Sequence, residues 1–309
     1  MRRTARESKM TPKVTIGVCV RNCAGTVSQA LNSIAAQDFP HELMETILVD
    51  DGSQDDTLQV LEKWASTSDI KTRVFHDKWH GMGHVRNKVV DCALGEYIVW
   101  IDDGIIVSKD YVRRLVSFIE KHPEVGITKG KFWMSPGPTH VATLEIYSRG
   151  VGGIKPRKNN TVRSLGTGAS IYRLKAIRQV GGFDERFTGY GEDWDLEIRI
   201  KEAGWSLIVT DCWWRHQERA GLTYNRLWAN GVKRGYDLHR VDVKNKGLIK
   251  LYRMSPPAAL LSGLLDIPLL YRNVRNRLVL LLPLHSVLKA TAWYWGYSKA
   301  RRNADHSRR

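Results

Sequence analysis

The chain has 309 residues, long enough to bury a full core in one large domain or two. With 42% hydrophobic and 26% charged residues its composition is that of a globular protein and excludes intrinsic disorder. The net charge is +16, but 17 Lys and Arg against four acids lie between Arg226 and Arg309, so the basicity belongs to the C-terminal quarter.

Residues Met1–Lys13 are basic and polar with no apolar stretch, so a short tail and no signal peptide are expected. Val14–Val20 is an apolar, β-rich run, followed by Arg21-Asn22 and a helix on which Val27, Leu31 and Ile34 recur until Phe39-Pro40. Glu45–Val49 is a second strand that ends on Asp50-Asp51-Gly52-Ser53, and a helix follows near Asp56–Trp64 with Ser53 or Asp55 as its cap. Thr72–His76 is a third strand, Gly81–Ala93 a helix, and Tyr97–Ile101 a fourth strand that stops on Asp102-Asp103-Gly104. Strands alternating with helices at this spacing predict βαβ units and an α/β fold with a mostly parallel central sheet. Right-handed crossovers place the acid-bearing strand ends together on one edge, where open α/β sheets bind ligands.

Beyond Asp103 the pattern loosens. A helix is expected at Asp110–His122 and a strand at Gly126–Met134. Ser135–Arg163, polar, Gly-rich and carrying Lys155, Arg157, Lys158 and Arg163, reads as a loop over a site. A short helix at Leu174–Val180, a helix opening at Gly191-Glu192-Asp193-Trp194-Asp195 and a short strand at Ser206–Asp211 complete a domain of residues 14–225. Four scattered cysteines (Cys19, Cys23, Cys92, Cys212) have no metal-ligand spacing, which points to reduced thiols.

Residues 226–309 differ in kind. Pro257–Tyr271 and Leu278–Trp295 are strongly apolar and flank the cluster Arg272, Arg275, Arg277. Asp266 and Lys289 interrupt the two runs, so helices lying on or half inserted in an anionic membrane surface are expected rather than spans. Trp293, Tyr294, Trp295 and Tyr297 beside Lys299, Arg301 and Arg302 have the composition of an interfacial belt, and a helical hairpin packed on the domain is the alternative. No nucleic-acid fold motif accompanies the basic residues, so nucleic acid is not an expected partner.

Three acid groups thus stand at loop ends: Asp50-Asp51, Asp102-Asp103, and Glu192-Asp193 with Asp195. Any one can be a helix cap. In this order, with Gly83-His84-Val85-Arg86-Asn87, Gly166-Thr167-Gly168-Ala169 and Gly181-Gly182-Phe183-Asp184 between them, the chain resembles the family 2 glycosyltransferases from about Val14 to His216. That resemblance implies a GT-A fold and a nucleotide-sugar site at Val20, Asn22, Asp50, Asp51, Arg86, Asn87 and Asp102. It implies a divalent metal (Mn²⁺ or Mg²⁺) at Asp103 and Asp102 with His216, an acceptor side at Gly168 and Trp194, and Asp193 as catalytic base beside Glu192. One departure is Gly104, which stands where the fuller metal motif has a third acid, leaving Asp103 as sole ligand or the metal held more weakly. The Q-x-x-R-W element of processive synthases is also missing, so transfer of a single sugar is expected.

The function expected is therefore inverting transfer from a nucleoside-diphosphate sugar to a lipid-linked or membrane-proximal glycan, at the cytoplasmic membrane face. A nucleotidyltransferase would need a Gly-rich basic phosphate loop after the first strand, where this chain has Val20-Arg21-Asn22-Cys23-Ala24-Gly25. A membrane-bound sugar-nucleotide binder with little catalysis is the other alternative, prompted by Gly104.

Overall fold

The computed structural model describes residues 11–155, 162, 164–217, 221–245 and 250–306. The first half runs β1 (Val14–Val20), α1 (Val27–Ala35), β2 (Met44–Asp51), α2 (Thr57–Thr67), β3 (Lys71–Asp77), α3 (Met82–Cys92) and β4 (Tyr97–Trp100). The second half runs β5 (Ile105–Val107), α4 (Tyr111–Lys121), β6 (Val125–Phe132), α5 (His140–Ile154), β7 (Ser170–Arg173), α6 (Leu174–Gln179), α7 (Glu192–Glu202) and β8 (Ser206–His216). Three long helices close the chain: α8 (Tyr224–Lys244), α9 (Pro256–Val274) and α10 (Leu282–His306).

Every residue of β1, β2 and β4 is buried, as central strands covered on both faces require. Their side chains divide by the two-residue period. Val14, Ile16, Val18 and Val20 pack with α1 and α4 on one face, and Cys19, Ile98 and Trp100 pack with α3, α6 and α7 on the other.

The eight strands are ordered β3-β2-β1-β4-β7-β6-β8-β5. β3, β2, β1 and β4 are mutually parallel, but β7 runs antiparallel to both β4 and β6, and β5 antiparallel to β8. The expectation of a mostly parallel sheet thus holds for the first half, and the whole is a mixed α/β sheet. The βαβ rhythm stops at β4, so the later strands are free of the crossover rule that keeps neighbours parallel.

Two expectations of local structure are corrected. Much of the stretch expected as a loop, Ser135–Arg163, is the 15-residue helix α5, capped by the Thr139 hydroxyl accepting from the Ala142 N–H at 3.1 Å. Its buried face includes Thr143 and Glu145 beside Leu144, Ile146 and Tyr147, which blurs the apolar period. Arg157, Lys158 and Arg163 of that stretch lie outside the described residues; Lys155 pairs with Asp266 of α9 at 2.7 Å. The last strand continues five residues beyond Asp211, to His216.

The terminal helices fold back onto the domain. α8 and α10 meet through glycines: a Cβ on Gly235 would lie 1.9 Å from the Trp293 carbonyl oxygen, and one on Gly296 1.9 Å from that of Val232. Phe187 and Ile198 of the domain share a core with Leu238, Val241, Trp293 and Tyr297. α10 is further tied to α5, where the buried Glu145 carboxylate accepts from Lys289 at 2.8 Å and His285 at 3.1 Å, with Arg149 at 2.9 Å on its other oxygen. Although burial opposes ionisation, these partners hold the Glu145 carboxyl well below the usual range. α9 buries Asp266 and Leu270 against the domain, while Leu260, Leu261, Leu264 and Leu265 face outward. No helix among the described residues is long and apolar enough to cross a membrane.

Candidate active site

The acids that end β2 and follow β4 come to the same edge of the sheet, because both strands run parallel to β1 between them. At the first of these ends Val20 pairs with Asp50 and is buried. Asn22 turns the chain in the left-handed region (φ 50°), which its short amide tolerates, and its Oδ1 accepts from the Gln54 N–H at 2.8 Å. Ser53 donates to Asp50 and accepts from the Asn22 N–H at 2.9 Å. The β1 and β2 ends are thus laced into one cradle, with His76 Nδ1 2.8 Å from Asp50 Oδ2. Asp51 is engaged locally: its carboxylate accepts the backbone N–H groups of His80 (2.7 Å) and Gly81 (3.0 Å), holding the entry to α3. The exposed Trp79, with the Arg21 guanidinium 5.6 Å over its ring, adds a flat surface beside this cradle. The sequence reading did not single out Trp79; an isolated aromatic in the short β3–α3 connection was the available signal.

Arg86 is the centre of the site. It is buried on α3 with its guanidinium near the rings of Trp100 (5.8 Å) and Phe183 (5.7 Å). One nitrogen bonds Glu192 in the first turn of α7, and another lies 3.6 Å from Asp102 after β4. One cation from the first half of the chain thereby links the strand-edge acids to the acids of α7. Asn87, next along α3, is engaged in scaffolding: its amide clamps Phe183 through the carbonyl (2.9 Å) and the N–H (2.8 Å).

The four acids nearby have different environments and hence different capacities. Burial pushes Glu192 up to about 8 against the pull of Arg86. Asp195 is fully buried and bonded to Arg199 (2.8 Å) and Lys244 (2.7 Å), which joins α7 to α8. Asp193 is only half-buried, and one oxygen accepts the Trp194 N–H at 2.7 Å. Gly166, whose φ of 68° favours glycine, lies beside it: a Cβ there would stand 3.4 Å from its other oxygen, an ordinary contact. Trp194 packs partly into the core shared with α8 and α10. Asp102, its side chain 37% exposed, is raised above the ordinary range by desolvation, with Arg86 opposing. Gly168 backs it closely: a Cβ there would be 2.8 Å from Asp102 Oδ2.

Gly104 has a structural reason. β5 pairs with β8 so that Ile105 faces His216, and a Cβ on Gly104 would fall 2.8 Å from His216 Cε1 and 3.0 Å from Nε2. The imidazole therefore stands where a side chain at position 104 would start, and the structure brings His216 to the acid pair. Asp103 Oδ2 accepts from the Thr26 hydroxyl at 2.8 Å. Among the described residues no three His, Cys, Asp or Glu side chains form a ready-made metal cage. Two carboxylates and an imidazole are nonetheless donors of a type that suits Mn²⁺ or Mg²⁺. Restoring the missing acid as Gly104→Asp is expected to lower the melting temperature by overpacking against His216, at about 1–3 kcal/mol, and to leave the Mn²⁺-induced thermal shift no larger than in the wild type. A larger Mn²⁺ shift in the variant would contradict this account of Gly104.

Lys129 and Glu197 are two further site groups that the sequence reading missed. Lys129 on β6 is buried, donates to the Leu165 carbonyl at 2.9 Å and lies 4.4 Å from the Trp214 ring centre. Burial lowers its amine to about 8, while the field of Glu197, Asp102 and Asp193 acts in the other direction. Glu197 is fully buried, accepts from the Leu165 N–H and the Tyr172 hydroxyl (both 3.0 Å), and is pushed up to about 7 by burial and then by Asp193. A lysine inside an apolar strand and a carboxylate on the apolar side of α7 were the signals.

From Asp103, Gly104 and His216 a cavity of about 650 Å³ opens toward α5, α8 and α10. The terminal helices thus wall the space next to the acid pair.

A mixed sheet with a nucleotide-type parallel half, metal-suited acids at its edge and a second acid cluster held opposite defines a protein of the GT-A class. The family model described as glycosyl transferase family 2 matches residues 15–181, more than half of the chain, and the chain belongs to that family. A second model, described as the N-terminal domain of galactosyltransferase, matches residues 152–219. Among curated relatives, the poly(ribitol-phosphate) beta-N-acetylglucosaminyltransferase TarS of Staphylococcus aureus is 32% identical over 110 residues, spanning 36% of this chain but only 19% of that protein. The putative glycosyltransferase EpsE of Bacillus subtilis is 26% identical over 62% of this chain and 68% of its own length. Of solved structures, mannosyltransferase PcManGT from Pyrobaculum calidifontis superposes at a TM-score of 0.60 with 18% identity, over 94% of this chain and 76% of that one. The 1–349 fragment of S. aureus TarS superposes at 0.53 with 19% identity, over 94% and 92%. These likenesses place the fold.

Proposed function

We propose that this protein is an inverting glycosyltransferase that moves one sugar from a nucleoside-diphosphate sugar to a hydroxyl of a lipid-linked or membrane-proximal glycan. The observation that carries this reading is the Arg86 bridge, which sets the Asp102-Asp103 edge opposite the first turn of α7 and leaves Asp193 as its accessible carboxylate. The cradle of Asn22, Asp50 and Ser53 receives the nucleoside, and Asp102, Asp103 and His216 hold the divalent ion. That ion, when bound, supplies the positive charge that a departing diphosphate needs. Asp193 takes the proton of the attacking hydroxyl, on the face of the sugar opposite the leaving group. PcManGT was solved with GDP-Man and Mn²⁺ and TarS with UDP-GlcNAc, which supports a metal and a sugar nucleotide here. A screen of sugar nucleotides by thermal shift, with and without Mn²⁺, is expected to show at least one stabilising donor; no shift with any would overturn the reading.

The same proposal places the protein on the cytoplasmic face of the membrane. The C-terminal region exposes the outward leucines of α9 together with Leu280, Leu281, Leu284 and Trp295, and the arginines Arg272, Arg275 and Arg277, the apolar and basic side chains that an anionic membrane surface binds. Substituting glutamine at Leu261, Leu265 and Leu284, each at least 60% exposed, is expected to abolish flotation with anionic vesicles, at a cost on the order of 100-fold in partitioning. Equal flotation of wild type and variant would remove the membrane from the proposal.

A further inference from the structure

The cavity that opens from the acid pair has walls of a distinctive chemistry. Beyond Asp103 and His216 it is lined by Arg149, Arg226, Arg234 and Lys289, together with apolar Leu222, Leu227 and Trp293. Among the described residues the other acid in its wall is Glu145, and that carboxylate is already bonded to Arg149, His285 and Lys289. Arg226 and Arg234 stand exposed on one face of α8; Arg226 reaches the Gly221 carbonyl at 3.3 Å, and the Arg234 guanidinium lies 4.8 Å over the Tyr190 ring, itself part of the wall. The Gln217 Oε1, buried at the same mouth, has no hydrogen-bond partner among the described residues. The Arg226 and Arg234 guanidiniums in the cavity wall favour an anionic ligand over a neutral one, because their planar forks match phosphate oxygens. Its volume is that of a site for one medium-sized ligand.

We propose that this cavity, which opens beside Asp103 and His216, is the acceptor seat and that the acceptor carries a phosphate held by Arg226 and Arg234. The inference rests on the transferase reading and narrows its acceptor to an anionic class. The phosphate belongs either to a prenyl-type lipid carrier or to a soluble or polymeric polyol phosphate.

The test uses the full chain and two matched probe pairs, geranyl phosphate with geraniol and glycerol phosphate with glycerol, in binding titrations at low and high salt. At least one phosphate is expected to bind ten or more times tighter than its alcohol, with affinity falling as salt rises. Arg226→Gln and Arg234→Gln are each expected to weaken that binding about tenfold, and Arg→Lys at the same positions to restore part of it. Binding of geranyl phosphate alone assigns the phosphate to a lipid carrier, and binding of glycerol phosphate alone to a polyol phosphate. Alcohols binding as well as phosphates in both pairs, or glutamine variants with wild-type affinity for the phosphates, would overturn the proposal. The donor screen separates the two levels. Phosphate binding without any sugar-nucleotide binding would refute the transferase reading, while donor binding without phosphate preference would refute only the acceptor class.

Discussion

Asp193→Asn is expected to lower sugar transfer by about 10²–10⁴-fold, the range a positioned general base supplies, while sugar-nucleotide binding survives. The structure gives each neighbouring acid a reason not to be that base. Glu192 is bonded to Arg86 in a dry site, and Asp195 is buried between Arg199 and Lys244. Glu197 is enclosed by the Leu165 N–H and the Tyr172 hydroxyl. Asp193 is the one first-turn acid of α7 that is not buried. Because Asn keeps the shape and the acceptor oxygen for the Trp194 N–H, the fold and the donor cradle should be unaffected. Donor affinity by thermal shift and turnover in a transfer assay make the check; undiminished turnover would remove Asp193 from the mechanism.

Arg86→Met should cost the fold about 3–5 kcal/mol, which for a chain of this size is a melting point lower by on the order of 10 °C. The loss does not come from the pair's own worth, since a buried ion pair is often no better than an apolar replacement. It comes from leaving the buried Glu192 carboxyl group, and Asp102 beyond it, without the Arg86 guanidinium, whose place between Trp100 and Phe183 is taken by a thioether with no N–H to donate. The double variant Arg86→Met with Glu192→Gln should therefore melt well above the single one, yet bind donor poorly, because Asp102 and α7 are no longer held to one another. A single variant that melts within a degree or two of wild type would show that Arg86 is not the link between the two halves of the site.

Much of the first half was legible from the chain because β1, β2 and β4 are buried on both faces, so each reads as an apolar run that stops on charge or polarity at the sheet's edge. β1 ends as expected at Val20, and β2 and β4 end within two residues of the expected positions, at Asp51 and Trp100. The antiparallel β7 and the short β5 were not legible, since a four-residue or three-residue strand carries no period. α5 was hidden by Gly150, Gly152 and Gly153 and by the buried Glu145, two of whose partners, His285 and Lys289, come from α10, about 140 residues later in the chain. The acid groups themselves were legible, but their division of labour was not. That Asp51 holds the start of α3, that Asn87 clamps the turn at Phe183 and that Arg86 bridges Asp102 to Glu192 depend on contacts across the sheet. The Gly104 puzzle resolves in the same way. Its explanation is His216, set against it by the β5–β8 pairing rather than by any nearby residue. For the C-terminal region, apolar and basic content could be read, but not which face of α9 turns outward.

The most direct test of the central claim is the anomeric configuration of the first product, read by NMR from the full chain with its identified donor and acceptor before any secondary reaction. Direct attack assisted by Asp193 from the face opposite the diphosphate predicts an inverted anomeric centre. A product that retains the donor's configuration would contradict the account.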